Sequence, residues 1–288
     1  MMTRIKLIHY PRSAKELTAL LDKGKGRVAP VGGGVSFSFS SPPKIAELAS
    51  LRSLGLDRIV RGKNGLRLGA MVTIAQLAAS PDAARFRGGL LATAASRVAA
   101  TPNRNLITVG GNAIRLFIWS DLPSVYCAMG AVFAVRGVKG MRKISCDEFY
   151  AAQPLTVLKR SEFLEEVIVP DTGPHSGGAF EKFSETANTF ALVSAAACVA
   201  LGSSGKCASA RLVIGGLQLL PRVSKEAARI LEGQVPSPEL MRKAAAAAVC
   251  AVKVVRDIRV SDEYKKGLAL TVARRALEDA FRTAGGKR

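Results

Sequence analysis

The alternation of apolar and polar positions divides the chain into short strands and amphipathic helices. "RIKLIHYP" (4–11) predicts an opening strand and "SAKELTALLDKGKG" (13–26) a helix. Ser13 stands at that helix's N-cap, Glu16 follows three residues later as in a capping box, and glycines end it. "RVAPVGGG" (27–34) predicts a strand running into three glycines, so the chain opens in a βαβ-like manner. The Ser-Phe alternation that follows, "SFSFS", reads as a strand or a polar loop.

Residues 44–80 predict, in order, a strand or turn, a short helix, a strand, a Lys-Asn-Gly turn, a strand and a helix. "GGLLATAASRVAA" (88–100) is an apolar helix and "TPNRNLITVGGN" (101–112) a loop. Residues 122–150 give a helix and two strands joined at Gly137–Gly140. "SEFLEEVIVP" (161–170) alternates as an edge strand closed by Pro170. "DTGPHSGG" (171–178) is the best linker. Strands are expected at 179–184, 191–201 and 207–216, with a "GSSGK" hairpin between the last two. Helices follow at 237–255, with Ser237 as cap and Pro238 at the first helical position, and at 261–284. The fold class is α+β, with a boundary near 170–178 and no internal repeat.

Composition narrows the function. Hydrophobic residues make up 48% of 288, enough for a real core. No apolar run reaches membrane-spanning length and the N-terminus lacks a signal-peptide pattern, so a cytoplasmic protein is expected. The five cysteines (127, 146, 198, 207, 250) include no CxxC pair, which argues against a disulfide framework, a zinc site or a compact cluster motif. His9 and His175 stand alone. The net charge of +20 is dispersed, and aromatics are only 6%, so a base-stacking nucleic-acid platform is poorly supplied.

Three stretches carry candidate chemistry. In Gly32–Gly33–Gly34–Val35–Ser36–Phe37, glycines let successive backbone N–H groups approach an anion, and Ser36 adds a hydroxyl. On its own a strand-to-strand turn explains this stretch equally well. "RNLITVGGNAI" offers Thr108, Gly110, Gly111 and Asn112 in a second loop; two such loops suggest a diphosphate held from two sides. Neither fits GxGxxG or a Walker loop. In "WSDLPS", Ser120 and Asp121 could bond a heterocycle or a ribityl chain, although an N-cap role for Asp121 is the stronger reading of the residues alone. With no Ser-His-Asp or Cys-His set, the chemistry falls to a bound cofactor.

The Gly-Gly-x-Ser loop, "LRLGAMVTIAQLAASP" (66–81), "RNLITVGGN" (104–112), "SDLP" (120–123), "FEKFSETANTFALVSAAA" (180–197) and "RVSDEYKKGLALTVARRAL" (259–277) together resemble the flavin-binding medium subunit of molybdenum hydroxylases, over essentially the whole chain. The resemblance implies a two-subdomain FAD-binding fold of the vanillyl-alcohol-oxidase type at 1–172 (subdomains about 1–57 and 58–172). It adds a C-terminal α+β domain with a small antiparallel sheet at 177–288. It implies noncovalent FAD, with Gly32–Phe37 and Thr108–Asn112 on the diphosphate and Ile114, Ser120 and Asp121 along the adenosine and ribityl portion. Leu164 would pack near the flavin ring and Lys182 near its polar edge; on residues alone, Lys182 reads as an exposed strand lysine.

The implied role is electron transfer. Molybdopterin and [2Fe-2S] clusters would reside on a large and a small partner subunit, and NAD+ or a quinone would be the acceptor. A free-standing flavin oxidase and a non-catalytic nucleotide or nucleic-acid binder are the competing functions. Two segments depart from the family pattern. Phe37 and "SFSSPPK" replace a Leu and a Met-Lys/Arg stretch, and "RLFIW" (115–119) stands where small and polar residues usually precede Ser-Asp.

Overall fold

A computed structural model of the chain describes residues 5–39 and 44–286. Arg4, the outer half of the first loop at 40–43, and Lys287–Arg288 of the C-terminal basic cluster lie outside the described residues. The first sheet is parallel. Strand β1 (Leu7–His9) and strand β2 (Val28–Val31) both pair with β3 (Glu47–Ser50), in the order β1-β3-β2. The helix Ala14–Lys23 joins β1 to β2, and Ser13 Oγ accepts the Glu16 N–H at its start. Its buried face, Leu17 and Leu21, packs with Val28, Ala49, Leu51 and Phe163 in a small core.

The second sheet is antiparallel, in the order β4 (Ile59–Gly62), β5 (Gly65–Gly69), β8 (Phe163–Pro170), β6 (Val132–Gly137), β7 (Gly140–Ser145). A run of short helices from Ile74 to Ala128 is inserted between β5 and β6. The expected edge strand 161–170 is instead the central strand, bonded to β5 on one side and β6 on the other. Pro170 is tolerated because it sits at the last rung, opposite Gly65, where a missing N–H costs the ladder least. The expected loop 101–112 also differs. It holds the helical turn Thr101–Arg104 and the start of the helix Val109–Ile114, each preceded by a residue in extended conformation.

The third sheet, in the order β11 (Cys207–Gly215), β10 (Val193–Leu201), β9 (Ser176–Phe183), is antiparallel, with the expected turn at Gly202–Lys206. Both of its faces are covered, which is why β10 reads as an unbroken apolar run. Val193, Ala195, Ala197 and Val199 face the helices Pro238–Cys250 and Asp262–Ala284. Ala196 and Cys198 face the main core built from the second sheet and its helices. Gly177 is needed for this fit, since a Cβ there would lie 2.2 Å from the Ala280 carbonyl oxygen.

Asp257 anchors the loop between the last two helices. It accepts from Arg259 and from Lys265, whose side chain is only 1% exposed. These hydrogen bonds, Arg259's first, hold the Asp257 carboxyl well below the usual carboxylate range. A depressed folded-state pKa contributes stability above the ordinary carboxylate range and loses it as pH falls toward the depressed value. Asp257→Asn is therefore expected to cost about 2–3 kcal/mol at neutral pH, the worth of hydrogen bonds to charged groups. The difference from the unsubstituted chain should shrink on acidification, as read by urea denaturation at several pH values.

Candidate functional site

The two glycine loops interlock. Gly32 and Gly33 follow β2, and the loop at 105–108 lies directly against them. A Cβ on Gly33 would fall 1.6 Å from the Leu106 carbonyl oxygen, and one on Gly32 would fall 2.8 Å from Thr108 Oγ1. Only a backbone without side chains allows this approach. Gly34 turns the chain at φ +77° in open space, and its carbonyl accepts from Phe37 and Ser38. The segment read as a strand or polar loop is thus a short helix, Val35–Phe39, because the left-handed turn at Gly34 redirects the backbone into helical bonding. Among the described residues, the N–H groups of Gly33, Gly34, Val35 and Ser36 have no protein acceptor.

The second loop is built differently. Val109 donates to Val72, Gly110 to Ala70, Asn112 to the Thr108 carbonyl, and Gly111 to Thr108 Oγ1 at 3.1 Å. Its N–H groups are spent inside the protein, and Thr108 works as a helix cap. The second loop therefore forms the wall, while the open donors belong to the first. Gly110 has to lack a side chain because a Cβ would meet Ala70 at 2.8 Å.

From Asn112 the chain runs to Asp121. Asn112 Oδ1 is buried with no partner. Ile114 is partly buried against the main core. Ser120 Oγ accepts the Phe117 N–H, and the Ser120 N–H returns to the Phe117 carbonyl, closing a tight turn. Asp121 precedes the helix Leu122–Ala128 but does not cap it: its backbone is already helical and its side chain turns inward. There its Oδ2 accepts from Lys182 Nζ at 2.9 Å, with both side chains only 4% exposed. Lys182 also donates to the Arg97 carbonyl.

The exposed-lysine reading of Lys182 is overturned by strand parity. Phe180 and Lys182 share one face of β9, the face buried against the main core. Burial raises the Asp121 pKa, and the Lys182 charge offsets only part of that. Asp121 Oδ1 and Ser194 Oγ are buried without partners, and Ser194 is the cross-strand neighbour of Lys182. Leu164 is 1% exposed within the main core. Ser194 and Arg97 were not found by sequence reasoning. A lone hydroxyl inside the otherwise apolar run of β10 was the signal for Ser194; Arg97 acts through its carbonyl and left none.

A donor-lined cradle opened by glycines, followed along one segment by two buried acceptors without partners among the described residues, fits an extended ligand bearing a diphosphate and a polar heterocycle. The fold and the site together define a protein that binds a dinucleotide cofactor. Residues 3–172 match the model of the FAD binding domain in molybdopterin dehydrogenase, and 178–280 that of the CO dehydrogenase flavoprotein C-terminal domain. The chain belongs to this family of FAD-binding subunits of molybdenum hydroxylases.

It is 28% identical to the carbon monoxide dehydrogenase medium chain of Afipia carboxidovorans, over 94% of this chain and 95% of that one. It is 29% identical to the 6-hydroxypseudooxynicotine dehydrogenase complex subunit alpha of Paenarthrobacter nicotinovorans, over 94% and 93%. The structure superposes on a chain of the carbon monoxide dehydrogenase of Hydrogenophaga pseudoflava with a TM-score of 0.90 at 26% identity, covering 98% of this chain and 99% of that one. These relatives are oxidoreductase subunits. No described helix is long and apolar enough to cross a membrane.

Proposed function

We propose that this chain is the electron-exit subunit of a cytoplasmic molybdenum hydroxylase. In this reading it sits between [2Fe-2S] clusters on a small partner subunit, fed by molybdopterin on a large one, and NAD+ or a quinone as acceptor. Single-electron uptake and paired delivery are the chemistry FAD supplies when bound. The chain's own residues do the rest. The N–H groups of Gly33, Gly34, Val35 and Ser36, without acceptors among the described residues, would take the diphosphate, and the Phe37 N–H closes the turn on the Gly34 carbonyl. Thr108, Gly110 and Gly111 keep the wall closed behind them. Asn112 Oδ1 and Asp121 Oδ1 offer acceptors to hydroxyl or ring N–H groups. Ile114 supplies apolar contact, Leu164 packs within the main core, Ser120 holds the turn, and Lys182 places a cation beside Asp121.

The observation that carries this reading is the contact between the Gly32–Gly33 and Leu106–Thr108 backbones, which brings loops some seventy residues apart to one cradle. The purified chain is expected to show the visible bands of oxidised flavin, released by denaturation. Isolated with its partners, it should carry molybdenum and iron. A colourless protein that takes up no FAD would reject the reading. Flavin without any associated metal subunits would instead favour the free-standing oxidase.

A further inference from the structure

Among the described residues, Lys25, Arg87 and Ala99 hold a left-handed φ without being glycine, and Ala99, at φ +47°, stands between two parts of the candidate site. An L-residue is disfavoured there because its Cβ crowds the following carbonyl oxygen. Ala99 lies between the helix Leu90–Ser96 and the turn Thr101–Arg104. Such a conformation persists only where its surroundings hold it.

Arg104 is the group that holds it. Its Nη1 faces the carbonyls of Ser96, Val98 and Ala99 at 3.1, 3.1 and 2.5 Å, and its Nη2 donates to Thr101 Oγ1 at 2.8 Å. The planar guanidinium fork can serve acceptors on both nitrogens at once, which a lysine's single nitrogen does less well. The side chain therefore ties the end of one helix to the start of the next turn, across the left-handed residue.

Both ends of this tie lead into the site. On one side the Arg97 carbonyl accepts from Lys182 Nζ at 2.9 Å, and Lys182 also donates to Asp121. On the other, the Asn103 carbonyl accepts the N–H groups of Leu106 and Ile107. The Leu106 carbonyl that abuts Gly33 thus hangs from the turn that Arg104 closes. The side-chain hydrogen bonds of Arg104 itself stay within residues 96–101, so it acts on the site through the backbone.

Resting on the reading that FAD lies in the glycine cradle, we propose that Arg104 is a positioning residue for the cofactor. It holds Ala99 left-handed, and through that turn it sets the Leu106 carbonyl against Gly33 and the Arg97 carbonyl against Lys182. The test titrates FAD into the flavin-stripped full chain and its variants, following visible absorbance and the visible circular dichroism of bound flavin.

Arg104→Met should weaken FAD about fivefold to thirtyfold, the range spanned by releasing one left-handed alanine. Ala99→Gly, which adopts the same φ without strain, should leave FAD affinity unchanged by itself. Combined in Arg104→Met/Ala99→Gly, it should recover most of the loss. The circular dichroism of bound flavin, which reads its seating, should change in Arg104→Met and return in the double variant. Urea denaturation of the flavin-free variants establishes folding. Where Arg104→Met does not fold, Arg104→Lys is read in its place, with a loss of FAD affinity and the same rescue by Ala99→Gly expected. Unaltered FAD affinity in the folded Arg104 variant overturns the positioning role and leaves the flavoprotein reading standing. A loss that Ala99→Gly does not reduce also overturns it, because Arg104 would then act otherwise than through the turn. Failure of the unsubstituted chain to bind FAD ends both ideas.

Discussion

Gly33→Ala is expected to give a folded protein that no longer retains flavin. The added methyl would sit 1.6 Å from the Leu106 carbonyl oxygen and 2.6 Å from its carbon. Both are backbone atoms, so no side-chain rotation relieves the clash and the two loops must part. Overpacking of this kind costs about 1–3 kcal/mol of stability. The larger effect falls on the ligand, because the free N–H groups of Gly33 to Ser36 shift away from the wall that faces them. Misaligning two hydrogen bonds to a charged group, each worth about 1.5–3 kcal/mol, lowers FAD affinity at least about a hundredfold.

Gly34→Ala is the control. No atom lies within 4 Å of a Cβ there, so only the left-handed φ of +77° is penalised, by about 1–2 kcal/mol. The ratio of flavin to protein absorbance after purification, followed by FAD titration, distinguishes the two variants. Full flavin content in Gly33→Ala would mean that the contact between the loops does not shape the cofactor site.

Lys182→Met should be the most destabilising substitution outside the apolar core. It leaves the Asp121 carboxylate, 4% exposed, without its cation. Removing one member of a buried pair costs about 3–5 kcal/mol, whereas replacing both can be nearly neutral. The double variant Asp121→Asn/Lys182→Met is therefore expected to recover most of the loss in urea denaturation.

The pH dependence has a definite sign. Burial already raises the Asp121 pKa with Lys182 present, and removing the lysine raises it further. A carboxyl with a raised folded-state pKa binds its proton more tightly when folded, so stability falls as pH climbs from the ordinary carboxylate range through the raised value. Lys182→Met should be closer to the unsubstituted chain in mild acid than at neutral pH. A deficit that grows on acidification would show that Asp121 is not the group left exposed to the change. The double variant's own stability should lack this pH dependence, since neither group then titrates.

Much of the architecture was readable from local pattern. Ser13 and Ser237 announce helix starts through short-range hydrogen bonds that any neighbourhood would permit. The Gly137–Gly140 and Gly202–Lys206 turns likewise depend on their own backbones. The misread elements are those whose role depends on distant partners. The 161–170 segment looks like an edge strand because a closing proline suits one, but its neighbours β5 and β6 lie far away in sequence. Asp121 looks like a cap because capping is the local option for an aspartate before Leu-Pro. It turns inward because Lys182, sixty-one residues on, offers a charge at a buried site.

The sequence by itself marked two glycine loops and a Ser-Asp pair as candidates, while Lys182 stood out only through the family resemblance and read on residues alone as an exposed strand lysine. Only the tertiary structure decided how they act together. It pressed Gly33 against Leu106, spent the second loop's N–H groups on the wall while leaving the first loop's without acceptors among the described residues, and buried Lys182 on Asp121. The physical reason is that hydrogen-bond satisfaction and charge burial are settled by whichever groups meet after folding, and those groups lie tens of residues apart along the chain.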